Sequence, residues 1–133
     1  MLSPVLALIS WTLLVWIWMY ALRIPAMQAA AIDADDARHP GSLSTLPSGV
    51  RAVADNYNHL HEQPTIFYAL AFYSVLAGTA DPVNINLAWA YVGLRVAHSL
   101  IQNTVNKVLL RFGVFALSSL LLIALTVRNI MAL

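Results

Sequence analysis

Residues 2–22 read LSPVLALISWTLLVWIWMYAL, a run without a charged side chain. A helix needs about 20 apolar residues to cross the hydrocarbon core of a bilayer. This run is long enough. It is too long for the apolar stretch of a signal peptide, and no Lys or Arg precedes it. We therefore read it as a membrane helix, although residues 26–31 offer small side chains of the kind found at cleavage sites. Trp16, Trp18 and Tyr20 near its end suit the membrane–water interface, where amphipathic rings settle.

The rest of the 133-residue chain has the same character: it is 60% apolar and only 10% charged. An ordinary soluble domain is roughly half apolar and a quarter charged. Three further apolar segments follow, at about 63–80, 83–102 and 108–127. The third segment is interrupted by Arg95 and His98, and the fourth carries Arg111 near its start. The longest connection, 23–50, holds Asp33, Asp35, Asp36, Arg38, Pro40, Gly41, Pro47 and Gly49, which is loop composition. Pro47 suits the first turn of the next helix. That helix is expected over about 47–80, kinked by Pro64 where it enters the bilayer. The other helices are expected at about 2–22, 83–106 and 108–131. Connections at 78–84 and 103–107 are short, and short connections make antiparallel neighbours. The fold expected is all-α: one domain, residues 1–133, forming an integral membrane four-helix bundle of up-down topology.

Arg23, Arg38 and Arg51 lie in or beside the first connection, and Lys107 and Arg111 at the third. An up-down bundle puts these on one side. The positive-inside rule then places both connections in the cytoplasm and both termini opposite. The net charge of +1 gives no footprint for nucleic acid. With no cysteine, the chain has no disulfide, no thiolate metal site and no cysteine nucleophile. Any sulfur chemistry must take its sulfur from a ligand.

The polar residues of the membrane segments are concentrated. On a helix, Arg51, Asp55, Asn58, His59 and Glu62 share an arc of about 100°. On the next helix Tyr91, Arg95, His98, Ser99, Gln102 and Asn106 form a second stripe at the same periodicity. Charged groups at membrane depth face protein or water and find partners. Glu62 and Arg95 are the natural ion pair. The remaining groups, Arg95, His98, Lys107 and Arg111, exceed what one pair needs. Such a cationic surplus suits a pocket for a small anionic molecule, open to the cytoplasm. The alternative is that these groups satisfy one another and lock helix packing. His59 and His61 lie about 200° apart on a helix and cannot share a metal there, so no metal site is expected.

Glu62-x-Pro64, Arg95-x-x-His98 and Arg111, in this order and spacing, resemble the membrane-associated proteins in eicosanoid and glutathione metabolism. Members with an NYNH-x-x-EQPT-x-FYAL stretch, which stands here at residues 56–70, are most similar. The resemblance covers the whole chain. It implies a homotrimer in a bacterial inner membrane, with glutathione as co-substrate bound between subunits near the cytoplasmic face and lipophilic substrates arriving from the bilayer. It implies glutathione-binding roles for Glu62, Arg95 and His98, and makes Arg111 the candidate to stabilise the thiolate. Arg51, His59 and Gln102 join the binding set. The chain departs from the family pattern at Asp55, where the family has Arg, and at His59, where it has Asn. It departs again at Gln102 and Phe115, where the family has tyrosines.

Two functions follow from this. One is a glutathione-dependent transferase or peroxidase acting on lipophilic electrophiles or hydroperoxides. The other is a non-catalytic membrane protein that keeps the bundle and binds another anion or a lipid headgroup. A transporter is a weaker third, since the chain lacks internal repeats.

Overall fold

The computed structural model describes residues 1–39 and 41–133, so Pro40 of the first connection lies outside the described residues. The elements are α1 (Leu2–Ala29), a 3-10 turn (Ala34–Ala37), α2 (Ser48–His59), α3 (Gln63–Leu76), α4 (Pro82–Asn103) and α5 (Val108–Met131). No strand occurs among the described residues.

The first helix runs on past its expected end at residue 22. Pro25 removes one backbone donor, but Ala26, Met27, Gln28 and Ala29 favour helix and carry it onward. It stops where Ala31 turns left-handed, at φ 53°. There the N–H groups of Ala31 and Ile32 return to the carbonyls of Gln28 and Met27, closing the helix end.

The expected second helix, 47–80, is two helices. α2 ends at His59, and its last turn tightens as His61 N–H and Glu62 N–H bond the carbonyls of Asn58 and His59. Pro64 cannot donate to Leu60, and its ring crowds that carbonyl. The chain resolves this by breaking rather than kinking. Glu62 leaves helical geometry (φ −93°, ψ −100°), and Pro64 opens α3, where its missing donor costs nothing. Pro47 likewise stands just outside α2, as its N-cap. α4 stops at Asn103, so Asn106 belongs to the connection and not to the helical stripe.

Cross-chain contacts fix the topology. α3 and α5 run parallel, because Gln63 meets Ser119 and Ser74 meets Asn129. α4 runs against both: Tyr91 meets Gln63, and Asn84 meets Arg128. α1 opposes α2 and α3, with Thr12 near Tyr68 and Met19 near Ala54. The spans therefore alternate up and down, and the second is broken. α1 packs through Val5, Leu8, Thr12, Val15 and Met19, a three-four repeat that keeps one seam inward. Its other faces, and those of α5, are apolar and exposed; Leu6 and Leu109 are 65% and 85% accessible. α4 is the reverse. Asn84, Arg95, His98, Ser99 and Gln102 are buried in the bundle. Polar inside and apolar outside is the arrangement a bilayer demands, and α1 and α5 are each long and apolar enough to cross one.

At the end that carries the termini, the α3–α4 connection is clasped to α5. Asp81 caps α4 by accepting from the Asn84 N–H (2.7 Å) and pairs with Arg128 (2.7 Å). Arg128 also donates to Asn84, and Asn129 accepts from Ser74.

Candidate functional site

At the opposite end, His59, His98, Val108, Arg111, Phe112 and Phe115 line a cleft of about 170 Å³. Three elements build it. α2 contributes its last residue, His59; α4 contributes His98; the first two turns of α5 contribute the rest. The rings of His59 and His98 stand edge to face, 6.2 Å apart, and His98 is equally far from Phe115.

Arg95 lies behind this cleft and is 1% exposed. Its guanidinium carbon sits 5.7 Å from the centre of the Phe115 ring, within cation–π range. Nη2 donates to the His59 carbonyl at 3.4 Å, whereas Nε and Nη1 have no partner among the described residues. Nδ1 of His98, Oε1 of Gln102 and Nδ2 of Asn56 are also buried without partners. Unpaired buried polar groups are costly. These groups lie on α2 and α4, on Asn56, Arg95, His98 and Gln102.

Arg111 is fixed from the α4–α5 connection. Its Nη1 donates to Oδ1 of Asn106 at 2.7 Å, and Asn106 holds a left-handed conformation, φ 47°, that asparagine tolerates. The cation is thereby held at the lip of the cleft.

The expected Glu62–Arg95 ion pair does not form. Glu62 Oε2 lies 3.0 Å from His59 Nδ1, and Glu62 is 65% exposed. The reason is the helix break. The stripe argument placed Glu62 one turn beyond His59 on a continuous helix, but Glu62 stands at the start of α3 and folds back on His59. Arg51 is also elsewhere. With Arg23, Asp55 and Asn58 it lines a separate groove of about 500 Å³ beneath residues 41–46. Of the residues proposed from sequence, the structure gathers His59, His98 and Arg111 at the cleft, with Arg95 directly behind. Gln102 is buried along the same face of α4.

Two features escaped the sequence reading. Asn56 is fully buried and accepts from Ser99 at 3.1 Å, tying α2 to α4. It lies off the Arg51–His59 stripe, so helical periodicity alone marked it as a bystander. Second, Tyr91 donates to Gln63 (3.3 Å) and Gln63 to Ser119 (2.8 Å), joining α4, α3 and α5 below the cleft. The only signal for this bridge was a Gln directly before Pro64 in an apolar run.

Among the described residues no three His, Asp or Glu side chains gather as metal ligands. The model of the MAPEG family matches residues 1–131. No curated protein and no solved structure matches the chain.

Proposed function

From membership of the MAPEG family, to which this chain belongs as an integral membrane protein, we propose that it is a glutathione-dependent enzyme of transferase or peroxidase type. The observation that carries this reading is the donor surplus at one end of the bundle. Arg111, His59 and His98 line a cleft, and buried Arg95 keeps two donor nitrogens without partners among the described residues. Such a site favours an anionic, hydrogen-bonding ligand. Arg111 would stabilise the thiolate of glutathione, which raises the reactive fraction of the thiol. Arg95, His98 and Gln102 would meet its polar groups from the α4 side, and Glu62 and Arg51 from the exposed face of α2 and the helix break.

In this reading three copies of the chain assemble and glutathione sits between neighbours. That arrangement would bring the exposed Arg51 of one copy toward the cleft of another. Lipophilic electrophiles would reach the sulfur from the bilayer, along the apolar groove of α5 formed by Leu109, Leu110, Gly113, Val114 and Leu117. The cleft would face the cytoplasm, following the basic residues of the first and third connections.

Conjugation of a chromogenic electrophile by purified protein tests the proposal. Wild-type protein should exceed the background reaction, and Arg111→Ala should lose roughly 10²-fold or more in kcat. A wild-type rate equal to background overturns it. One observation favours the second reading, a binding protein without chemistry: Phe115 places no hydroxyl in the cleft. In that case glutathione or another anion still stabilises the protein, but there is no catalysed rate for Arg111→Ala to lose.

A further inference from the structure

His59 occupies a position that makes it more than a ligand contact. It is the last residue of α2, at the helix end that Glu62 folds back upon. Glu62 Oε2 lies 3.0 Å from its Nδ1. An ionised carboxylate only accepts hydrogen bonds, so this contact puts the ring proton on Nδ1 and the lone pair on Nε2. The backbone of the same residue is pinned from the other side by Arg95, through the His59 carbonyl. The ring itself lines the cleft with His98, Arg111 and Phe115.

We propose that His59, oriented by Glu62, is the general base of this cleft, taking the proton from the thiol of a glutathione-type ligand whose sulfur then rests beside Arg111. The proposal builds on the glutathione reading above. In the step, the S–H bond breaks and its electron pair stays on sulfur. The proton forms a new N–H bond at Nε2, and the imidazolium charge is balanced by the Glu62 carboxylate. Sulfur then bonds to the electrophilic carbon, whose leaving group departs with its electron pair, and the proton returns from His59 to that group or to buffer.

The surrounding charges fit the division of labour. Facing His59 are Glu62 from the helix break, Arg95 and His98 from α4, and Arg111 from α5. The two arginines oppose a further positive charge on the ring and favour the thiolate. Glu62 is the one acidic group among those facing His59, and it bonds the ring directly. Phe115 contributes no donor or acceptor to the cleft, so its acceptors are the two imidazoles, and of these His59 has the carboxylate partner.

The test measures kcat and KM for glutathione against pH with a chromogenic electrophile, together with thermal stability across a glutathione series. His59→Asn should raise its KM for glutathione far less than it lowers kcat. It should lose roughly 10²-fold in kcat near neutral pH, and the deficit should shrink as pH rises and the thiol ionises unaided. Glu62→Gln should lose less, with the same pH trend, and decides the matter if the His59 variant does not fold. Wild-type kcat and an unchanged pH profile in these variants overturn the base while leaving glutathione binding intact. Wild-type protein whose stability does not rise with glutathione overturns the glutathione reading, and the base with it.

Discussion

Arg111 is anchored by Asn106: Nη1 donates to Oδ1 at 2.7 Å, from a backbone held at φ 47°. The two jobs of Asn106 can be separated. Asn106→Gly keeps the left-handed turn and removes the acceptor. It should leave thermal stability near wild type while lowering catalysed turnover about tenfold, because Arg111 loses its fixed place. Asn106→Ala removes the acceptor and strains the turn as well, and should cost about 1–2 kcal/mol more in unfolding. Thermal unfolding and kcat, measured on both variants, check this.

Arg95 tests whether the buried polar seam exists for stability or for ligand. It is enclosed, with one long hydrogen bond and two unpartnered donors. Replacing an incompletely satisfied buried charge by an apolar side chain of similar length is often neutral or stabilising. Arg95→Met should therefore unfold at or above the wild-type temperature, yet lose the rise in stability that glutathione gives the wild type. Unfolding in detergent with and without glutathione reads both effects. A variant that falls apart even without ligand would assign Arg95 to packing.

The bridge through Gln63 holds three helices together below the cleft. Gln63→Leu should cost about 1–3 kcal/mol, since it leaves the buried Tyr91 hydroxyl unpaired. Tyr91→Phe should cost less, and the double variant should cost less than the sum of the two. A double-mutant cycle by denaturant or heat gives that coupling directly.

Asp81 responds to acid. The Asn84 N–H and then the Arg128 guanidinium hold its carboxyl below the ordinary value of 3.8. A carboxyl with a depressed folded-state pKa contributes stability that is fully present above 3.8 and fades as pH falls through its lower folded value. Asp81→Asn keeps an N-cap acceptor and removes the charge. Wild type should exceed this variant in thermal stability at neutral pH, and the difference should vanish under strongly acidic conditions. A gap that is independent of pH would show that the cap alone matters.

Much of the fold was legible because membranes simplify the reading. Long apolar runs marked α1 and α5, and α5 starts and ends where expected. The second span was misjudged because a proline was treated as a kink in one helix. Leu60, His61 and Glu62 carry nothing in their own propensities that announces a break. That error then propagated to the site. A continuous helix pointed Glu62 toward Arg95, whereas the break turned it to His59. The α4 stripe from Arg95 to Gln102 was read correctly because α4 is unbroken and its polar groups repeat every three or four residues. Asn56 and the clasp of Asp81, Asn84, Arg128 and Asn129 depend on pairings between distant segments. No single helix pattern encodes those.

The division between α1 and α5 on one hand and α2 to α4 on the other bears on how the chain enters a membrane. Among the described residues, α1 and α5 alone are long and apolar enough to cross one. α3, at 14 residues, is shorter than the roughly 20 needed to span, and α4 brings Arg95 and His98 with it. Neither middle segment can rest in lipid unaccompanied. Both segments depend on their neighbours for shelter. The cleft is lined from α2, α4 and α5 together, so it exists only where the last helix of the chain packs against the earlier ones.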